Sequence, residues 1–152
     1  MGRLRNKVQK FNFVPFSKKQ LQLLTWWTDN SPYKDFDVVI ADGSIRSGKT
    51  VSMGLSFVLW AMNDFNGQNF AICGKTIHSA RRNVVQPLKQ MLSSRGYRIE
   101  DIRNENLLVI ARMDGDKEVI NYFYIFGGKD ESSQDLIRSE EHTSELQSLR
   151  RI

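Results

Sequence analysis

Eight consecutive residues, Gly43-Ser44-Ile45-Arg46-Ser47-Gly48-Lys49-Thr50, limit what this chain can fold into more than any other stretch. The pattern is glycine, four residues, then glycine, lysine and threonine. Glycine reaches backbone conformations that a Cβ disfavours, so such a loop can turn its N–H groups inward and let an anion approach the main chain. A helix that starts where the loop ends adds unsatisfied N–H groups and the positive end of its dipole. Lys49 then reaches the outer phosphates of a nucleotide and the Thr50 hydroxyl holds Mg²⁺, with Gly43, Ser44, Ser47 and Gly48 around the phosphates. The bland reading is a glycine turn with an incidental lysine, and the flanking sequence argues against it.

DVVIADG (37–43) is a short β-branched run of the kind found in a buried parallel strand, and it feeds directly into the loop. TVSMGLSFVLWAMNDF (50–65) is apolar almost all round and reads as a largely buried helix. Upstream, Ser17 and Gln20 have the Ser-x-x-Gln spacing of a capping box before a short helix in SKKQLQLLTWW, which Asn30-Ser31-Pro32 breaks. Leu21, Leu24 and Thr28, with Leu23 and Trp27, give that helix an apolar face. Downstream, NFAICGK reads as a second buried strand. Ser79 is placed to cap a helix through RRNVVQPLKQMLSSR to Gly96, which Pro87 should kink or truly start. LLVIARM and EVINYFYIF flank Asp114-Gly115-Asp116, a hairpin signal. Strand, helix, strand, helix and further strands make an α/β pattern.

With 152 residues, 40% hydrophobic and 26% charged, the chain fits one soluble domain with a real core. No apolar run approaches the roughly 20 residues that span a bilayer. The basic N-terminus lacks a signal-peptide apolar stretch, and Asn6 stands where a myristoylation signal wants Ser or Thr, so an intracellular protein is expected. The single cysteine, Cys73, leaves no internal disulfide or cysteine zinc site and reads as a small buried hydrophobe. Trp26, Trp27 and Trp60 read as core. The net charge of +5 is unevenly placed: no acidic residue lies between Asp64 and Glu100, where Lys75, Arg81, Arg82, Lys89, Arg95 and Arg98 fall. Such a segment suits a polyanion, or is simply a solvated face. Arg46, inside the loop, could touch a terminal phosphate as a finger, bind a structural carboxylate or face solvent. Gln20 could read an adenine edge, although the capping box explains it equally well.

DVVIADGSIRSGKTVSMGLSFVLWAM, NFAICGKTIHSARRNVVQPLKQML and IFGGKDESSQDLI, in that order, resemble the N-terminal ATPase domain of phage terminase large subunits over about Phe16 to Ile137. The resemblance implies a partial RecA-like P-loop NTPase sheet with flanking helices, an α/β fold. It implies an ATP hydrolase that drives double-stranded DNA into a capsid in the host cytoplasm, with ATP and Mg²⁺ as cofactors. By matching position, Gly43, Gly48, Lys49 and Thr50 are its phosphate and Mg²⁺ residues, Arg46 the in-loop arginine, and Gln20 the adenine reader. Portal protein, a small terminase subunit and a homo-oligomeric ring are the implied partners, with no membrane.

Three units are thus expected: a basic arm (1–15), a partial P-loop ATPase domain (16–137) and a foreign tail (138–152). The tail's RSEEHTSELQS resembles the in-frame translation of a common sequencing-adapter oligonucleotide. The Walker B strand ending in Asp-Glu and the nuclease domain of the family do not occur before it. Without a carboxylate to position water, the fragment is expected to fold poorly and to have negligible ATPase activity. The competing readings are another P-loop nucleic-acid-dependent ATPase such as a helicase, and a non-enzymatic basic nucleic-acid-binding module.

Overall fold

The computed structural model describes residues 16–45 and 47–128. The basic arm, Arg46 and the adapter-like tail lie outside the described residues.

Four strands form one mixed sheet in the order β1-β4-β3-β2: β1 (Asn69–Gly74), β2 (Arg98–Ile102), β3 (Leu107–Asp114) and β4 (Lys117–Gly127). β1 lies parallel to β4, and the other two pairings are antiparallel. The hairpin joining β3 to β4 is where the sequence places it. Asp114 pairs with Lys117, leaving the two-residue loop Gly115-Asp116, and Gly115 takes a left-handed φ of 61° that a tight hairpin loop requires. β2 is not legible in the sequence. Its residues, RIEDI, include only two aliphatic side chains, and it is recruited by pairing with β3.

The helices are α1 (Lys18–Thr25), α2 (Lys49–Asp64), α3 (Ile77–Ala80) and α4 (Gln86–Ser93). The Ser17–Gln20 capping box is present at the start of α1. α1 stops at Thr25; Leu24 and Trp26 are buried, but Leu21, expected on the apolar face, is 48% exposed. Thr76, not Ser79, caps α3; Ser79 is the reciprocal member of that box, its hydroxyl accepting from the Thr76 N–H at 3.1 Å. Between α3 and α4 the chain widens into a π-helical segment, Arg81–Val85, where the Gln86 N–H reaches back to the Arg81 carbonyl. Pro87 follows at once, at the start of α4. Proline has no N–H and crowds the carbonyl four residues back, so a wider turn just before it relieves the conflict.

The helices pack on one face of the sheet. Leu55, Val58, Ala61 and Met62 of α2 and Leu88, Met91 and Leu92 of α4 meet Ile72, Leu108, Ile110, Phe123 and Ile125 in one buried cluster. Trp26 and Trp60 are buried there, and Trp27 packs against it, as the sequence predicts. Phe123, fully buried, stacks on Phe70 with ring centroids 5.1 Å apart and meets the edge of Phe57 at 5.8 Å. On the opposite face Tyr122, Tyr124 and Phe126 remain half-exposed.

Two further expectations fail. Residues 38–44 form no strand; Val38 is 51% and Ile40 84% exposed. A buried parallel strand exists only between ladder partners, and no described strand pairs with this segment. Cys73 is exposed, not buried, because strand alternation turns it away from the helix-covered face that Ile72 occupies.

Candidate phosphate-binding site

The loop meets α2 at Gly48, whose φ of 76° is left-handed and which supplies no side-chain cap. The first helical bond runs from the Ser52 N–H to the Gly48 carbonyl at 3.0 Å. The N–H groups of Lys49, Thr50 and Val51 therefore have no helical acceptor, as at any helix start. With Ser47 and Gly48 these three residues line a depression of about 270 Å³. Free N–H groups, the dipole's positive end and a small open hollow are the features an anion site requires.

Lys49 is folded back over the loop. Its Nζ donates to the carbonyls of Gly43 at 2.7 Å and Ser44 at 2.5 Å, and to the Ser47 hydroxyl at 3.2 Å. These contacts bring Gly43, Ser44, Ser47 and Lys49 together. The ammonium is held by neutral acceptors, which a charged phosphate would displace. Thr50 is exposed in the first turn of α2. Asp42 accepts from the Gly43 N–H at 2.7 Å and so shapes the entry to the loop.

Gln20 reaches the site from α1. Its Oε1 accepts from the Ser17 N–H at 2.9 Å, closing the capping box, and its Nε2 donates to the Ser47 carbonyl at 3.1 Å. The first bond is legible from spacing. The second joins residues 27 apart in sequence, and no local pattern announces it.

The basic stretch from Lys75 to Arg98 is not one-sided in space. Arg81 and Lys89 bind Asp101 at 2.7 and 3.1 Å, Arg103 stands 3.8 Å from the same carboxylate, and Arg98 pairs with Glu118. Burial pushes the Asp101 carboxyl up, but hydrogen bonds and charge from Arg81 and Lys89 outweigh it and hold the group below its usual value. The acids that balance this segment come from β2 and β4, which a scan along the chain does not place beside it.

A mixed α/β sheet, helices on one face, and a glycine loop running into an uncapped helix carrying lysine and threonine are the parts of a P-loop domain. Solved structures are similar to it, among them three of one phage large terminase. The large terminase from a thermophilic bacteriophage matches with a TM-score of 0.76 at 60% identity, over 82% of this chain and 30% of that one. The same terminase in complex with ADP matches at 0.72 and 60%, over 79% and 29%. Its complex with ATP-γ-S matches at 0.70 and 58%, over 75% and 28%. No protein-family model and no curated protein matches the chain. The chain belongs to the phage large-terminase family, with a RecA-like fold, and spans about 30% of the length of those terminases.

Proposed function

We propose that this chain is the nucleotide-binding part of an ATP-driven motor that packages double-stranded DNA. The observation that carries the reading is the open start of α2: three N–H groups without helical partners beside an ammonium held, among the described residues, by neutral oxygens. The thermophilic phage terminase, complexed with ADP and with ATP-γ-S, supports adenine nucleotide as the ligand. That same similarity favours a terminase over a helicase or a non-enzymatic nucleic-acid-binding module.

In this reading Gly43, Ser44, Ser47 and Gly48 wrap the phosphates and Lys49 turns outward to the terminal ones. Arg46 supplies a second cation, and Gln20 stands on the adenine side. Thr50 fits Mg²⁺: its hydroxyl is exposed at the rim, and Mg²⁺ needs few protein oxygens because water and phosphate fill most of its shell. A bound Mg²⁺ would neutralise charge on the outer phosphates. Residues 16–137 are the ATPase portion, 1–15 a basic arm and 138–152 foreign sequence. The assembled motor is a ring working with portal protein, small subunit and DNA in the host cytoplasm. No helix among the described residues is long and apolar enough to cross a membrane.

For the chain alone we expect Mg·ATP binding with negligible turnover, for want of the Walker B carboxylate that positions water in the family. Titration calorimetry checks the binding: Lys49→Ala should abolish it while leaving the unfolding midpoint in place. Equal affinity in wild type and variant would remove the site, and steady ATP turnover at motor-like rates would refute the inactive chain.

A further inference from the structure

Among the side chains at the loop, Gln20 is the one whose two polar ends are both committed, and each commitment has one possible polarity. The Ser17 N–H can only donate and the Ser47 carbonyl can only accept. The amide is therefore oriented with Oε1 on Ser17 and Nε2 on Ser47. α1, which presents it, is itself fastened to α2: the Ser56 hydroxyl donates to the Leu23 carbonyl at 2.5 Å. The helix that starts at the phosphate loop thus also carries, through α1, the side chain that holds the loop's far edge.

The held group matters because a trans peptide is planar, with C=O and N–H pointing in opposite directions. Fixing the Ser47 carbonyl on Gln20 turns the Gly48 N–H away from α1, and among the described residues that N–H has no partner. The approach also explains Gly48 twice over. Its φ of 76° suits glycine, and a Cβ there would lie 2.9 Å from Gln20 Nε2.

We propose that Gln20 is a positioning residue for phosphate: it sets the Ser47–Gly48 peptide so that the Gly48 N–H faces the bound anion, whatever base that anion carries. This rests on the proposed nucleotide site and deepens it, giving Gln20 a role independent of adenine.

The test is calorimetric titration of the chain with Mg·ATP, Mg·GTP and inorganic tripolyphosphate, in wild type, Gln20→Glu and Ser17→Ala. Glutamate keeps an acceptor for the Ser17 N–H but sets a carboxylate oxygen against the Ser47 carbonyl. The expected result is a loss of about tenfold for all three ligands alike, the order of one lost hydrogen bond that leaves a carbonyl unpaired. Ser17→Ala, which weakens the α1 cap without touching the Gln20–Ser47 bond, should leave all three affinities within about twofold. Loss confined to ATP would overturn the proposal in favour of adenine reading. Equal losses in Gln20→Glu and Ser17→Ala would reduce Gln20 to helix stability. A wild-type chain that binds none of the three would bring down the nucleotide site, and this role with it.

Discussion

The two ends of α2 face the same physical problem and solve it differently. A helix leaves carbonyls without partners at its last turn and N–H groups without partners at its first. At the C-terminal end, side chains supply what is missing. Asn121, fully buried on β4, donates to the carbonyls of Ala61 at 3.1 Å and Phe65 at 2.9 Å and accepts from the Gln68 N–H at 2.9 Å. Arg112 donates to the Met62 carbonyl at 3.3 and 3.2 Å. At the N-terminal end Gly48 offers no cap. One end is finished by the fold and is structure. The other is left open, and in the proposed reading a nucleotide finishes it. Burial follows the division, for the closed end sits over the sheet while the segment feeding the open end is largely exposed.

The closed end gives the largest expected effect. Asn121→Ala removes one side chain that serves two carbonyls and an N–H; the Ala61 carbonyl keeps the Phe65 N–H at 3.1 Å, but the Phe65 carbonyl and the Gln68 N–H lose their partner. Leaving such groups unpaired costs about 1–3 kcal/mol each where water is excluded. We expect a loss of about 3 kcal/mol in urea unfolding, with nucleotide affinity per folded molecule unchanged. At the open end, Gly48→Ala forces a left-handed alanine and a contact with Gln20. The stability loss should be smaller, about 2 kcal/mol, but nucleotide binding should vanish. If Gly48→Ala still bound nucleotide as wild type does, the two ends would not differ in kind.

How much of this is legible in the sequence follows from the range of the interactions. The loop, the α1 capping box, α2 and the β3–β4 hairpin are set within a few residues, and glycine, serine and apolar spacing announce them. The failures are long-range. DVVIADG has the composition of a buried strand, yet composition cannot supply the neighbouring ladder, and Ile40 lies exposed. Cys73 escapes a linear reading because a run of apolar letters does not say which face of an edge strand is covered. The Lys75–Arg98 stretch looks more basic along the chain than it is in space, because Asp101 and Glu118 come back to it through the sheet. The Gln20–Ser47 bond belongs to the same class: its two halves are clear alone, and only folding brings them together.

Asp101 provides a control away from both ends, tying α4 and the π segment to β2. Its folded pKa is lowered, so its contribution is complete above the unfolded carboxylate value of about 3.9 and is lost as pH falls through the lower folded value. Asp101→Asn should cost about 1 kcal/mol at neutral pH and flatten the stability decline at acid pH. Circular dichroism melts between neutral and acid pH read both. An acid decline as steep in the variant as in wild type would mean that Asp101 carries none of it.

The smallest expected change is the sharpest for the comparison, because it has the opposite sign. Thr50→Asp puts a carboxylate in the first turn of α2, where the free N–H groups and the dipole attract negative charge. The helix gains about 0.3–1 kcal/mol from such a group, so the variant should melt slightly above wild type. The same carboxylate stands where the outer phosphates and Mg²⁺ would sit, and it repels the phosphates as it satisfies the helix. Nucleotide affinity should fall by more than roughly a hundredfold, the cost of setting one fixed negative charge against another at close range. A protein made more stable and less able to bind by one substitution is what an end kept open for a ligand predicts. A variant that melted higher and still bound ATP would show that the helix start is a surface like any other.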